Sequence, residues 1–226
     1  MPATNESEVL SVRVGHVASS PRHVLCLGAH CDDLEIGCAG TVLKLSEEPN
    51  PPAFTWVVFT SDVRREAEAL KSAEALLRRA SGARIIIHKF RDGFLPYEGT
   101  VVKESLEELK TEVSPDLILT HYRDDRHQDH RLISELTWNT FRNHLIFEYE
   151  IPKYDGDLGT PNVFVPLDDS LVRRKTEAIL TGFPSQAGKR WFDAETFRAL
   201  LRLRGMECNA PDNYAEAFYC RKLVVG

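Results

Sequence analysis

HVLCLGAHCDDLEIGCAGTVLKLSEE, residues 23–48, contains the first structural unit of the chain. Its opening octet HVLCLGAH (23–30) is a short apolar run that ends in small and polar residues, which is typical of a buried strand entering a loop. CDDLEIGCAG (31–40) is predicted to be that loop, and TVLKLSEE (41–48) has the spacing of a helix. The order of strand, polar loop and helix is the beginning of a βαβ layer.

The same alternation continues along the chain. Further strands are predicted at 53–61, 84–90, 116–121 and 145–151, with helices between them at 63–80, 101–113 and 131–144. This pattern predicts an α/β fold with a mostly parallel, Rossmann-like sheet and helices on both faces. After about residue 152 the alternation of predicted strands and helices becomes less regular, and the C-terminal third is expected to be irregular. Its predicted elements are a strand at 162–167, helices at 168–180 and 193–205, and a last strand at 215–225.

The length of 226 residues suits one sizeable α/β domain and is short for two. We therefore expect a single domain over residues 1–226, with a polar N-terminal arm over about residues 1–20. Apolar residues make up 42% of the chain and charged residues 27%, which excludes the disordered and membrane-spanning classes.

The charge and the segment pattern exclude several kinds of partner. The net charge of -6 argues against a surface that neutralises many phosphates, so no nucleic-acid partner is expected. The first twenty residues lack the pattern of a secretory signal, and no segment reaches the roughly 20 apolar residues of a membrane span. A cytoplasmic location is therefore expected. The five cysteines are odd in number and lack CxxC spacing, which indicates reduced thiols.

Two clusters of histidine and acidic residues directly follow predicted strands, at the edge where parallel sheets form their ligand crevice. They are His30, Asp32, Asp33 and Glu35, and His121, Asp124, Asp125, His127, Asp129 and His130. Imidazole and carboxylate groups are zinc ligands, and a catalytic zinc site uses three protein ligands and keeps one position for water. The two clusters together therefore predict a metal site.

Each of these residues taken alone has a plainer explanation. Acidic residues before a helix cap it and interact favourably with its dipole, which is the better interpretation for Asp32, Asp33 or Asp125 singly. A single histidine is more often a surface or hydrogen-bonded residue. The coincidence of HxDD and HxDH, each directly after a strand end, favours the metal site.

The two segments resemble the motifs of the PIG-L family, also called LmbE-like deacetylases. Members of that family show AHPDDE after the first strand and an HPDH-like motif before a later helix. Here the segments are AHCDDLE (29–35) and RHQDH (126–130), and their order, spacing and strand context match over most of the chain. Cys31 stands in place of the usual proline, and Leu34 intervenes before Glu35.

The resemblance implies a zinc-dependent N-deacetylase. Its zinc ligands would be His30, Asp33 and His130, with another divalent metal as an open alternative. Asp32 would be the carboxylate next to the metal-bound water, in the position of a general base.

The resemblance also implies roles for residues around the metal. His127 would be the proton donor, with Asp129 as its orienting partner. The second helix carries Arg64, Arg65 and Glu68 near its start, where the family often has an arginine and a glutamate three residues on. Substrate binding and a solvated helix with local ion pairs are equal alternatives for these three residues.

The predicted function is hydrolysis of an N-acyl group, in the first place N-acetyl, from an amino sugar or a metabolite that contains one. Metal-bound hydroxide would attack the amide of this small-molecule substrate. One alternative is hydrolysis of another small amide, such as a thiol conjugate or an antibiotic intermediate. Another is a protein that binds a metal or sugar without catalysis, but such a protein has no need of Asp32 or of the His127 and Asp129 pair.

Three further features bear on cofactors, assembly and the pocket. The glycines of 28–40 miss the GxGxxG spacing, so no nucleotide cofactor is expected. Self-association is common in the resembled family, which leaves a homo-oligomer open. The distinctive string FEYEIPKYDGDLG (147–159) indicates no ligand, and its Asp155 and Asp157 are interpreted as ordinary turn residues.

Overall fold

The computed structural model describes residues 22–224, so the polar arm predicted for about residues 1–20 lies outside the described residues. The strands are β1 (His23–Gly28), β2 (Ala53–Thr60), β3 (Gly82–Phe90), β4 (Leu117–His121), β5 (Leu145–Tyr149), β6 (Val163–Leu167) and β7 (Tyr214–Cys220). The helices are α1 (Asp33–Ser46), α2 (Val63–Leu76), α3 (Gly99–Glu112), α4 (Gln128–Thr140), α5 (Asp169–Gly182) and α6 (Ala194–Glu207). Short 3-10 helices occur at Leu95–Glu98 and Pro184–Gln186.

All seven strands form one sheet in the order β3-β2-β1-β4-β5-β7-β6. The first five strands are mutually parallel, which confirms the predicted α/β fold and mostly parallel sheet. The C-terminal third extends the same sheet, because β7 pairs antiparallel with β5, and β6 pairs antiparallel with β7. Within residues 22–224, no helix combines the length and apolar character needed to cross a membrane.

Helices cover both faces of the sheet and create two cores. One core lies under α1, α2, α5 and α6, and the other under α3 and α4. Alternate residues of β1 contribute to each, with Val24 and Cys26 in the first core and Leu25 and Leu27 in the second. Burial on both faces explains why this strand is an uninterrupted apolar run in the sequence.

The prediction of a loop over residues 31–40 is wrong, because α1 begins at Asp33. The segment is polar at its start, but its two glycines serve the close packing of a helix against the sheet. A Cβ atom on Gly37 would lie 2.2 Å from Cδ2 of Tyr149, and one on Gly40 would be similarly crowded. The two glycines therefore let the first turns of α1 approach the strands closely.

A buried ion pair fixes α1 to the C-terminal third of the chain. Nζ of Lys175 on α5 lies 2.5 Å from Oε1 of Glu216 on β7 and donates to the carbonyl of Ile36 at 2.6 Å. The Glu216 carboxylate also accepts the backbone N–H groups of Gly40 and Thr41. The start of α1, where the first motif lies, is thus held by two elements of the C-terminal third, α5 and β7.

Candidate metal centre

The two motifs meet because β1 and β4 are neighbouring parallel strands. The first motif lies between β1 and α1, and the second lies between β4 and α4. His127 is the N-cap of α4, and its Nδ1 accepts the backbone N–H of Asp129 at 3.3 Å. This places the predicted residues of both motifs at one edge of the sheet.

The three predicted metal ligands are buried and lie together. Nδ1 of His30 lies 3.0 Å from Nε2 of His130 and 3.2 Å from Oδ2 of Asp33. Nε2 of His130 lies 3.5 Å from Oδ1 of Asp33. Tetrahedral zinc with bonds of about 2.0–2.1 Å needs ligand atoms roughly 3.3 Å apart. The donor set and its spacing therefore fit a divalent ion such as zinc.

Carboxylates contact the outer nitrogen of each histidine in this trio. Nδ1 of His130 lies 2.9 Å from Oδ2 of Asp125. Nε2 of His30 lies 3.3 Å from Oδ2 of Asp129 and 3.2 Å from Oδ1 of Asp92. Metal-binding histidines commonly have such partners, because the carboxylate fixes the tautomer and the ring orientation.

Several overlapping sets of side chains could hold a metal, with ligand atoms within 4.8 Å of one another. They are His30, His127 and His130; Asp33, His121 and His130; and His30, Asp92 and Asp129. Backbone N–H groups already donate hydrogen bonds to two of these side chains, those of His121 and Asp129. Nε2 of His121 accepts the N–H of Ala29 at 2.9 Å, and Oδ2 of Asp129 accepts that of Gly93 at 2.7 Å. Asp33 of the predicted trio also accepts a backbone amide, the N–H of His30 at 2.6 Å, so backbone contacts do not distinguish the trio from the other sets.

Negative potential dominates the cluster. Burial lowers the pKa of His30, but Asp33, Asp129 and Asp92 outweigh burial and raise that pKa well above its ordinary value. Burial would raise the pKa of Asp33, but the neighbouring rings, His130 foremost, lower it well below the ordinary carboxyl range. A field that favours a proton on imidazole also favours a bound cation.

Asp32 is buried beside the trio in a different environment. Burial and the charge of Asp33 raise the pKa of Asp32, while Arg65 opposes the shift. Nη2 of Arg65 donates to Oδ1 of Asp32 at 2.9 Å, and Nη1 of Arg65 donates to Oδ2 of Asp92 at 3.0 Å. A hydrogen bond from His30 is the main reason that the pKa of Asp92 falls to about 2.

The orientation of His127 differs from the prediction. Asp129 contributes its backbone N–H to Nδ1 of His127, so the neutral imidazole carries its proton on Nε2. The carboxylate of Asp129 instead accepts the N–H groups of Gly93 and Leu95 at 2.7 and 3.1 Å. Among residues 22–224 it has no hydrogen bond to the His127 ring. Burial and the two neighbouring histidines lower the pKa of His127.

The predicted substrate-binding residues separate into two groups. Arg65 lies in the cluster, as described above. The side chain of Arg64 is 67% exposed and pairs only loosely with Glu68, at 3.6 Å. Glu68 accepts the backbone N–H of Ser185 at 2.9 Å and its hydroxyl as well. The structure thus leaves Arg64 and Glu68 outside the cluster, because Glu68 binds the C-terminal third and Arg64 faces solvent, and these contacts suit the alternative of a helix with local ion pairs.

Glu35 occupies a buried position apart from the metal-binding sets. Neither of its carboxylate oxygens has a hydrogen-bond partner among the described residues. Burial raises the pKa of Glu35 to about 8, so the side chain is predominantly protonated at neutral pH. The departure from the family motif at Leu34 thus coincides with an acidic residue that is no metal ligand.

Two further residues complete the cluster without having been assigned a role from the sequence. Asp92 follows β3, and its position at a strand end is a signal that could have identified it. His121 ends β4, and burial lowers its pKa to about 4, so its ring is neutral. Its Nε2 lies 3.2 Å from Oδ2 of Asp33 and 3.1 Å from the hydroxyl of Tyr149. Both residues shape the surroundings of the predicted ligands.

Comparison with known proteins gives one matching family model, described as PIG-L: GlcNAc-PI de-N-acetylase, over residues 25–141. Three similar solved structures show the same fold. N,N'-diacetylchitobiose deacetylase from Pyrococcus horikoshii is 23% identical, with 88% of this chain and 84% of that chain covered and a TM-score of 0.69. The 4-carboxy-2-hydroxymuconate hydratase from Pseudomonas putida is 17% identical, with 91% and 98% covered and a TM-score of 0.70. The zinc-inhibited form of a teicoplanin deacetylase is 14% identical, with 88% and 97% covered and a TM-score of 0.66.

Proposed function

The chain belongs to the PIG-L family of N-deacetylases, and from that premise we propose that it is zinc-dependent and removes an N-acetyl group from an amino sugar or a metabolite containing one. The trio of His30, Asp33 and His130, with Asp32 beside it, is the observation that carries the proposal. The fold alone is insufficient, because a hydratase shares it with deacetylases.

We assign the metal to His30, Asp33 and His130. Nδ1 of His30 and Nε2 of His130 lie 3.0 Å apart, and the Asp33 carboxylate contacts the first through Oδ2 and the second through Oδ1. A bound divalent ion would supply Lewis acidity toward the amide carbonyl and lower the pKa of a coordinated water. Two imidazoles and one carboxylate suit zinc best, with other divalent ions as alternatives.

Asp32 is the general base in this proposal. Its raised pKa makes its carboxylate a better proton acceptor than an ordinary aspartate, so it can take a proton from the attacking water. The hydrogen bond from Arg65 at 2.9 Å holds one carboxylate oxygen and leaves the other for the water.

His127 supplies the proton donor near the leaving nitrogen, because an amine leaves poorly unless it is protonated. The backbone N–H of Asp129 occupies Nδ1, so the neutral ring carries its proton on Nε2 and offers that N–H to the substrate as a hydrogen-bond donor. To transfer a proton to the leaving nitrogen, the ring must first take up a proton and become an imidazolium, which requires Nδ1 to release the Asp129 N–H. The ring of His127 meets that of His30 edge to face at a centroid distance of 4.7 Å. The donor is thus next to the ligand trio, and Asp129 positions it through the backbone.

The loop after β3 supports a substrate that contains a ring. Asp92 of this loop contacts His30. Phe94 and Tyr97 come next along the chain, and the centroids of their two rings lie 5.8 Å apart. Tyr97 is 82% exposed, Phe94 is 38% exposed, and the guanidinium of Arg91 lies 3.4 Å from the Phe94 centroid. Exposed aromatic faces pack well against the C–H faces of sugar rings, which favours an amino sugar over a linear amide.

The test is zinc content together with acetate release from a panel of N-acetylated amino sugars, including phosphorylated, nucleotide-linked and lipid-linked forms. Wild type is expected to hold about one zinc per chain and to release acetate. Asp32→Asn should keep the zinc and lose acetate release by a factor of about 100 or more, because it removes only the base. Asp33→Ala should lose both.

Arg64→Met is the matched control, since the side chain is exposed and outside the cluster, and it should behave as wild type. Zinc binding without acetate release from any member of the panel would redirect the assignment to another amide or to a binding protein. Failure of wild type to bind any divalent metal under replete conditions would refute the proposal.

A further inference from the structure

Lys153 and Asp157, in the loop that follows β5, lie behind the metal-binding motif. Nζ of Lys153 donates at 2.8 Å to Oδ2 of Asp125 and at 2.8 Å to Oδ1 of Asp157. The Lys153 side chain is only 15% exposed, and both carboxylates are buried. Ion pairs at exposed positions contribute little, whereas this lysine neutralises two buried carboxylates at once.

The same two carboxylates bind the second motif. Oδ1 of Asp125 accepts the backbone N–H of His127 at 2.8 Å, and Oδ2 faces Nδ1 of His130 at 2.9 Å. Oδ2 of Asp157 accepts the backbone N–H of Arg126 at 2.6 Å. Through Lys153, the loop after β5 is therefore connected to the proposed proton donor and to a proposed metal ligand.

We propose that Lys153, Asp125 and Asp157 form a clamp, called here the Lys153 clamp, which positions His127 and His130 for metal binding and catalysis. The proposal rests on the proposed function of the same site. Without the ammonium group, two carboxylates that both approach Nζ within 2.8 Å repel each other and must separate. Because these carboxylates bind residues 126–130, their separation displaces the motif.

The clamp is itself anchored to the C-terminal third. The carbonyl of Gly159, two residues beyond Asp157, accepts Nη2 of Arg204 on α6 at 3.0 Å. A Cβ atom on Gly159 would lie 2.6 Å from the hydroxyl of Tyr219 on β7, so the loop passes closely over this strand. The C-terminal third thus contributes to the geometry of the proposed metal site.

Lys153→Met removes the charge and keeps most of the side-chain volume, so it tests the clamp directly. We expect the affinity for Zn²⁺, measured by competition with a chromophoric chelator, to fall by about tenfold or more, as for other changes behind metal ligands. At saturating zinc, kcat should fall by a similar factor with KM nearly unchanged, since the three side chains of the clamp are largely buried behind the motif. Lys153→Arg should restore most of both, because guanidinium can bridge two carboxylates.

Tyr154→Ala is the matched control, because Tyr154 is the neighbouring residue and its side chain is largely exposed. Its zinc affinity and kcat should equal those of wild type. Thermal unfolding of each variant shows whether a lower zinc affinity or kcat comes from displaced histidines in a folded protein or from loss of the fold. A folded Lys153→Met protein with wild-type zinc affinity and kcat would overturn the clamp, as would equal losses in the Met and Arg variants.

A third readout needs neither substrate nor metal. Histidine ring ¹⁵N–¹H spectra of the metal-free protein should show a protected Nδ1–H signal from His130 in wild type, lost or broadened in Lys153→Met. An unchanged signal would count against the clamp. A wild type that binds zinc but releases no acetate would refute the proposed function alone, because zinc affinity and these spectra test the clamp independently.

Discussion

Asp32 and Asp33 are adjacent in sequence and both buried, yet their pKa values shift in opposite directions. Asp33 faces the ring nitrogens of three histidines, which stabilise its ionised form. Asp32 faces one guanidinium and the negative charge of its neighbour, so burial prevails and raises its pKa. Two titratable groups whose environments separate their pKa values are typical of a site that assigns them different roles.

This contrast predicts the effect of Arg65→Met on the pH dependence of acetate release. A general base works when ionised, so kcat/KM is present above the pKa of Asp32 and is lost as pH falls through it. Arg65 lowers that pKa through a contact of 2.9 Å. Removing the guanidinium should therefore move the acid limb of the pH profile to higher pH, by about one unit or more.

Two controls accompany that measurement. Arg65→Lys retains a positive charge and should shift the acid limb less than Arg65→Met does. Arg64→Met changes the exposed neighbour and should leave the limb in place. An acid limb that does not move in Arg65→Met would contradict the assignment of Asp32 as the base.

Among the elements, α1 determines where the first motif lies, because Asp33 is its first residue. The helix approaches the sheet so closely that Gly37 lies against the ring of Tyr149. The hydroxyl of Tyr149 donates to the carbonyl of Leu27 at 2.8 Å and lies near His121, so this ring also belongs to the support of the site. A displacement of α1 would therefore reach the proposed metal ligands directly.

Gly37→Ala should destabilise the protein, although alanine is the better helix former by about 1 kcal/mol. A Cβ atom at this position would lie between 2.2 and 2.8 Å from three atoms of the Tyr149 ring. Overpacking of this kind costs about 1–3 kcal/mol, so urea denaturation should show a lower free energy of unfolding. Zinc affinity should fall in parallel.

Gly99→Ala is the matched control for helix propensity. Gly99 is the first residue of α3, and a Cβ atom there would meet nothing within 4 Å among the described residues. Its φ of -53° is accessible to alanine, so the free energy of unfolding should stay constant or rise by up to about 1 kcal/mol. If both variants changed stability equally, close packing at Gly37 would be refuted as the cause.

At the scale of the whole molecule, the C-terminal third and the parallel part of the sheet share buried charges. Lys175 and Glu216 are each 2% exposed and connect α5, α1 and β7. Breaking a buried pair by removing one partner leaves an uncompensated charge, which costs about 3–5 kcal/mol. The ion pair therefore adds a side-chain connection between β7, α5 and α1 to the backbone pairing of β7 with β5.

Lys175→Met should lower the free energy of unfolding by about 3–5 kcal/mol in urea denaturation, because the Glu216 carboxylate stays buried without its ammonium partner. The double variant Lys175→Met with Glu216→Gln should recover part of this loss. A loss below about 1 kcal/mol, the value typical of exposed pairs, would contradict the role given to the ion pair.

The pattern of the chain is sufficient to predict the fold class, because strand and helix periodicities are local. Runs such as residues 23–30 and 116–121 are apolar because both faces of their strands are covered. It is sufficient as well to predict that His30, Asp33 and His130 lie together, since two short motifs follow neighbouring strands, whereas their role as metal ligands stays a prediction. The single domain over residues 1–226, the cytoplasmic location and a homo-oligomer stay predictions.

Only the tertiary structure shows which side chains are hydrogen-bond partners of one another in the site. Asp129 contacts His30 rather than the ring of His127, and Lys153 reaches Asp125 across 28 positions of the chain. Contacts between residues so far apart in sequence depend on how the loops pack against the folded sheet. No hydrophobic periodicity predicts them. The packing role of the α1 glycines is hidden in the sequence for the same reason, since Gly37 lies against Tyr149 and Gly40 against Leu167 and Glu216, all more than a hundred residues away.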